Sequence, residues 1–195
     1  MRSSRPRSAR LASVIVVGIL GARGRPGEWA VEIARRAAAS GARVEMVGVA
    51  PPDLEGDEQL IELAGAGIGH ATVVRSFADG LEAADLDLAL HYLPDIRAIV
   101  LVQPGPAVIP PATAAATWSD AGFVVVGPVD RDAVAALDAA TPSAIVLDPP
   151  ATDPDRTFAG FVAALAVRLD LGEAPSAAWS STVDALAVDP VSGKA

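Results

Sequence analysis

Short β-branched runs alternate with longer amphipathic stretches along this chain. Ser13–Ile19 (SVIVVGI) is a continuous apolar run, the pattern of a strand buried on both faces. Val44–Val49, Ala71–Arg75, Ala98–Val102, Phe123–Val126 and Ser143–Leu147 read as five more strands. Between them the period lengthens. Over Glu28–Ser40, Trp29, Ile33 and Ala37 recur at i, i+4 and i+8, which predicts a helix closed by Gly41. Leu60, Leu63 and Ala64 share a face in a helix expected from Gly56 to Ala66; Leu86, Leu90 and Leu93 do so in one from Leu81 to Leu93, stopped by Pro94. Pro110 and Pro111 suit the first turn of a helix that runs to Ala121. Asp130 would cap a helix over Arg131–Ala140, and two final helices are expected over Arg156–Leu171 and Pro175–Val188.

Strands that alternate with helices at intervals of about 25 residues form βαβ units, and such units build a parallel sheet covered on both sides. The expected fold is therefore α/β, three-layer α/β/α with a mostly parallel central sheet. Residues 1–11 are expected to be a disordered basic tail, 12–188 a single domain and 189–195 a frayed end.

Composition narrows the chemistry. Hydrophobic residues make up 51% of the 195 and aromatics only 4%, so the core must be built from Ala, Val, Leu and Ile. A net charge of −9 argues against a nucleic-acid partner, because neutralising phosphates needs a basic face. The basic residues Arg2, Arg5, Arg7 and Arg10 crowd the start. Followed by the apolar run Leu11–Leu20, they have the layout of a signal peptide. No small-x-small cleavage site follows, and the β-branched residues and glycines there favour a first strand. No stretch reaches the roughly 18 apolar residues that a membrane span requires, so no membrane partner and a cytoplasmic location are expected. The chain has no Cys, which removes disulfides and thiolate chemistry. His70 and His91 are too far apart for a His-rich metal site.

Three segments carry candidate chemistry. Gly18, Gly21 and Gly24 follow the first strand and precede a helix, a place that favours phosphate. Their spacing is GxxGxxG rather than GxGxxG, and Asp53 is the nearest acid to the end of the second strand, so a Rossmann-type NAD(P) site is a weaker alternative. A Walker A loop is absent; Gly193-Lys194 has no helix after it. Asp148, Asp153 and Asp155 cluster between a strand and a helix, where carboxylates can hold Mg²⁺, although Asp and Pro also simply build turns and caps. His70 reads as a surface residue and His91 as a packing one. Glu28, Glu32, Arg35 and Arg36 read as a solvated helix face with i, i+4 ion pairs.

Two stretches resemble the ribokinase/PfkB carbohydrate kinases. From Gly24 to about Gly80, GRPGEWAVEIARRAAASGA is similar to the family's Gly-Gly-x-x-x-Asn-x-Ala helix, Asp53, Gly56 and Asp57 fall at its acidic turn, and Gly67-Ile68 at its Gly-Ile element. From Pro149 to Val188, TDPDRTFAG is similar to the signature D-T-x-G-A-G-D-x-F-x-G, followed by two helices. The resemblance implies a ribokinase-like fold, ATP and Mg²⁺ as cofactors, and a small-molecule phosphate ligand. It places Asp153, Asp155, Arg156 and Gly160 at the phosphate and nucleotide side, and Gly24, Gly27 and Glu28 at the substrate side. The chain departs from the family where catalysis needs it most. Aligned on Phe158 and Gly160, the anion-hole and base motif reads Asp153-Pro154-Asp155-Arg156, so the base position holds Arg156. A guanidinium cannot accept a proton. The lid strands are missing between the first strand and the first helix, and Asn-x-x-Glu has no clear counterpart beyond Asp130 and Asp132. The implied function is a degenerate, weak or inactive carbohydrate kinase domain, still able to bind a nucleotide or sugar phosphate. An active sugar or nucleoside kinase using Asp148, Asp153 or Asp155 is the alternative. Without a lid, an exposed sheet edge would favour a homodimer.

Overall fold

A computed structural model of the chain describes residues 13–20, 28–78, 80–128, 137, 139–141, 143–151 and 153–188. Six strands, β1 (Val14–Ile19), β2 (Val44–Ala50), β3 (Gly69–Arg75), β4 (Ala98–Val102), β5 (Gly122–Val126) and β6 (Ile145–Leu147), form one sheet in the order β3-β2-β1-β4-β5-β6. Every neighbouring pair is parallel. The apolar run that has the look of a leader segment thus supplies β1, at the centre of the sheet. Among the described residues the helices are α1 (Glu28–Ala39), α2 (Leu54–Gly65), α3 (Ala83–Tyr92), α4 (Ile109–Ser119), α5 (Thr157–Asp170) and α6 (Pro175–Val188). The helix expected over Arg131–Ala140 lies largely outside the described residues.

The period-2 geometry of a strand sends successive side chains to opposite faces, and the core divides along that line. Val14, Val16, Val100, Val124 and Val126 meet α1 and α5 through Ala30, Ile33, Ala34, Ala37, Ala159, Val162 and Ala166. Ile15, Val17, Ile99, Leu101, Phe123 and Val125 meet α3 and α4 through Leu86, Leu90, Ala112, Ala115 and Ala116. The two faces explain why the central strands read as unbroken apolar runs. Burying each Val, Leu or Ile side chain contributes about 1.5–3 kcal/mol. Alanines on α1 and α5 let both helices lie close to the sheet and to each other. Gly18 makes the same allowance from the strand side: a Cβ there would sit 2.6 Å from Ala30 Cβ.

Element ends differ from expectation for identifiable reasons. β3 starts two residues early, at Gly69, because the Glu45 carboxylate accepts the Ala71 N–H at 3.1 Å and carries the pairing across a register shift. β6 is only three residues long. Before α4, Pro106–Val108 forms a short 3-10 turn inside what reads as a proline loop. The order of strands leaves β1 and β4 side by side, while the chain departs from β1 towards the α1 face and from β4 towards the α4 face. Such a switch opens a crevice beyond the carboxyl ends of the strands.

Candidate functional site

The crevice is present. It is about 110 Å³, lies across the ends of β1 and β4, and is lined by Gly18, Ile19, Leu81, Val102, Gln103 and Pro106 among others. Among the described residues Gln103 is the one member of that lining with a polar side chain. Its backbone adopts φ +50, a left-handed conformation that a side chain disfavours. The reason is local: Gln103 N–H still donates to Val126 O at 2.6 Å, while Gly127 (φ +137) packs against it so closely that a Cβ on Gly127 would lie 3.1 Å from Gln103 Cα. Holding a non-glycine residue in this region costs on the order of 1–3 kcal/mol, and such strain clusters at ligand sites. The sequence motifs do not point to Gln103. The available signal is its place, a polar residue directly after a buried central strand and before Pro104-Gly105-Pro106.

A second constellation sits where α1 and α5 begin. The two helices pack together, and Trp29 meets Phe158 edge to face, centroids 5.2 Å apart at 87°. From α1, Glu32 accepts from Arg36 Nε at 2.7 Å through Oε1, and its Oε2 lies 3.7 Å from Arg156 NH1. Arg156 stands at the start of α5 with φ +57 and ψ +25. Its αL backbone turns the loop into the helix, and its guanidinium lies 3.7 Å from Glu32 of α1. A Cβ on Gly160 would be 3.3 Å from Arg36 NH1, so the absence of a side chain there leaves room for that guanidinium. Asp153 caps the helix. Its Oδ1 accepts from Phe158 N–H and its Oδ2 from Ala159 N–H, both at 3.2 Å.

The structure therefore brings Asp153, Arg156 and Gly160 together and adds Glu32 and Arg36, which read in the sequence as surface charges. Asp155 and Asp148 are exposed and stand apart from this contact network. Glu28 is the first residue of α1, its side chain outside the described residues; Gly24, Gly27, Asp130 and Asp132 also lie outside them. Among the described residues no group of three His, Asp or Glu side chains could hold a metal ion.

The remaining candidates have structural roles. Gly18 is inside β1, and Gly21 and Gly24 lie outside the described residues. Asp53 caps α2, its Oδ1 accepting from Gly56 N–H at 3.0 Å, so it is engaged away from any ribose. His70 lies within β3, half-buried, its Nδ1 3.1 Å from Ile68 O. His91 does not fill a packing role in the core: α3 buries Leu86, Ala89 and Leu90, which turns His91 outward onto the Trp118 ring, centroids 6.0 Å apart. Glu45 is buried in β2, and that burial pushes its carboxyl above the ordinary 4.5, partly opposed by the Ala71 N–H and by His70.

No family model matches the sequence, and no curated protein matches it either. Solved structures do match. Superposed on ribokinase from Giardia lamblia, the chain gives a TM-score of 0.58 at 14% identity, covering 90% of each chain. The fold is ribokinase-like. Fructokinase from Halothermothrix orenii matches at 0.58 and 11% identity, covering 94% of this chain and 100% of that one. A PfkB protein from Polaromonas sp. JS666 matches at 0.55 and 14%, covering 91% and 96%. These identities show the fold alone. On the ribokinase-like fold the start of α5 is the segment that resembles the family signature, and there this chain carries Asp153 and Arg156. The Rossmann alternative is not favoured by these matches, nor by the engagement of Asp53 and the position of Gly18. No helix among the described residues is long and apolar enough to cross a membrane.

Proposed function

We propose that this ribokinase-like domain binds a small neutral polyol or nucleoside in the β1/β4 crevice and transfers no phosphoryl group to it. One observation carries the reading: where the resemblance calls for a proton acceptor, the chain has Arg156, and its guanidinium faces Glu32 at 3.7 Å. General-base positioning contributes about 10²–10⁴-fold to such reactions, and an always-charged donor supplies none of it. An E. coli protein described as ribokinase II has been solved with ATP and Mg²⁺, on the same fold at 10% identity and a TM-score of 0.55. In this chain both Asp153 oxygens accept from backbone amides, which leaves that carboxylate less free to take a metal. The crevice is mostly apolar and, among the described residues, carries no charged side chain, which suits a neutral ligand better than a phosphate.

Thermal-shift titration tests this. A ligand that binds only the folded state raises the melting temperature with its concentration. A sugar or nucleoside should stabilise the wild type, Gln103→Ala should abolish the shift, and adding ATP with Mg²⁺ should not increase it. A further rise that needs ATP, Mg²⁺ and the sugar together would overturn the reading in favour of an active sugar or nucleoside kinase.

A further inference from the structure

We propose that the chain pairs with a second copy of itself through the outer face of α4, with Trp118 of each copy seated in a groove of the other. α4 has no charged residue among its 11, IPPATAAATWS, although the whole chain carries a net charge of −9. Its inner side is buried on the sheet through Ile109, Ala112, Ala115 and Ala116. Its outer side borders a groove of about 590 Å³, walled by Pro110, Thr113, Ala114 and Thr117 of α4 and by Leu137 and Ala140 opposite. Thr113 and Thr117 donate their hydroxyls to the carbonyls of Ile109 and Thr113, at 2.8 and 2.9 Å, so these hydroxyls ask nothing of a partner. None of the described residues that line the groove is charged, and such a surface binds an apolar group in preference to water.

The last turn of the same helix supplies that group. Trp118 is 54% exposed and stands at the border of the groove. Its ring lies 6.0 Å from that of His91, which carries the surface on towards the exposed Leu88 and Tyr92 of α3. The spacing makes this face complementary to itself. Pro110 and Trp118 lie four residues before and after Ala114, on the same side of the helix. A two-fold axis at Ala114 therefore sets α4 antiparallel to its copy and brings each Trp118 over the partner's α4 at the level of Pro110, where the groove opens. The small side chain on the axis lets the helices approach closely, and their dipoles oppose favourably. Charge selects a second copy as the occupant. Two chains of net charge −9 repel each other, and a face without charges is where they can meet with no like charges in contact. Trp is also the kind of residue that anchors an interface when it fills a pocket.

Sedimentation velocity of the full chain across the micromolar range tests the pairing. The wild type should pass from monomer to dimer as concentration rises. Ala114→Glu sets two carboxylates against each other on the axis and should raise the dimer dissociation constant by about tenfold or more, whereas Ile61→Glu, on the exposed side of α2, should leave it unchanged. A cross-link tests the axis itself with a milder substitution. The chain has no Cys, so Ala114→Cys introduces a single thiol, which should meet its own copy and form a disulfide between chains under copper phenanthroline. Ile61→Cys should stay uncross-linked under the same treatment. A wild type that remains monomeric overturns the proposal and leaves the groove to another occupant, residues 129–136 of this chain or a different protein. A dimer that a folded Ala114→Glu leaves intact overturns it too, in favour of another surface such as the edge of β3. So does Ala114→Cys cross-linking no faster than Ile61→Cys, whether or not Ala114→Glu folds.

Discussion

The contact between Trp29 and Phe158 holds the start of α1 against the start of α5, and its removal has a computable cost. Both rings are half-buried, and they meet edge to face at 5.2 Å. Truncating a fully buried Phe to Ala costs about 3–5 kcal/mol; a half-buried one should cost about half, near 2 kcal/mol. In a domain of this size a loss of about 2 kcal/mol lowers the melting temperature by roughly 4–8 °C. That total mixes lost burial with the ring–ring term. The pair itself should be worth about 0.5–1.5 kcal/mol beyond burial. A double-mutant cycle separates the two: Trp29→Ala, Phe158→Ala and both together, unfolded in urea and followed by far-UV circular dichroism, since one variant removes a fluorophore. The coupling should fall in that range and the double variant should lose less than the sum of the singles. A coupling below about 0.3 kcal/mol, the scatter expected of independent sites, would refute the claim that these rings join the two helices.

Three further outcomes follow from the packing and the buried charge. Because burial raises the Glu45 carboxyl above 4.5, the fold favours its protonated form. That contribution is complete below about pH 4.5 and is lost as pH rises through the raised folded value; Glu45→Gln should therefore gain stability relative to wild type as pH rises above 4.5, and a pH-independent difference in urea midpoints would contradict it. Gly18→Ala should destabilise by about 1–3 kcal/mol, because the new methyl meets Ala30 Cβ at 2.6 Å; an unchanged midpoint would show that α1 can retreat from β1. Gly65→Ala, in α2 with nothing within 4 Å of the added carbon, should instead stabilise by about 0.5–1 kcal/mol, and a loss in the same assay would contradict that.

The layered architecture was legible because it is written in local pattern. Val14 to Val17 is β-branched without interruption and Ala98 to Val102 is apolar throughout, the pattern of strands covered on both faces. Trp29, Ile33 and Ala37 mark the buried stripe of α1 as plainly. The helix start at Thr157 was legible to within a residue. What escaped depends on contacts distant in sequence. Glu32 reads as one more solvated acid until α5 brings Arg156 beside it across more than a hundred residues. Asp153 reads as a member of an acidic loop until the amides of Phe158 and Ala159 claim both its oxygens. Gln103 carries no motif at all; its importance comes from a left-handed backbone that Gly127 and the β4–β5 pairing impose. The early start of β3 likewise waits on Glu45, a side chain from the neighbouring strand.

On the proposed reading Arg156, paired with Glu32, leaves this ribokinase-like fold without phosphoryl transfer. Transfer of the labelled γ-phosphate of ATP to a panel of sugars and nucleosides, in the presence of Mg²⁺, tests it most directly. The account predicts no acceptor-dependent product above the enzyme-free background from the wild type. Acceptor-dependent product from the wild type that disappears in Asp155→Ala would contradict it, because an exposed carboxylate one residue away would then be serving as the base.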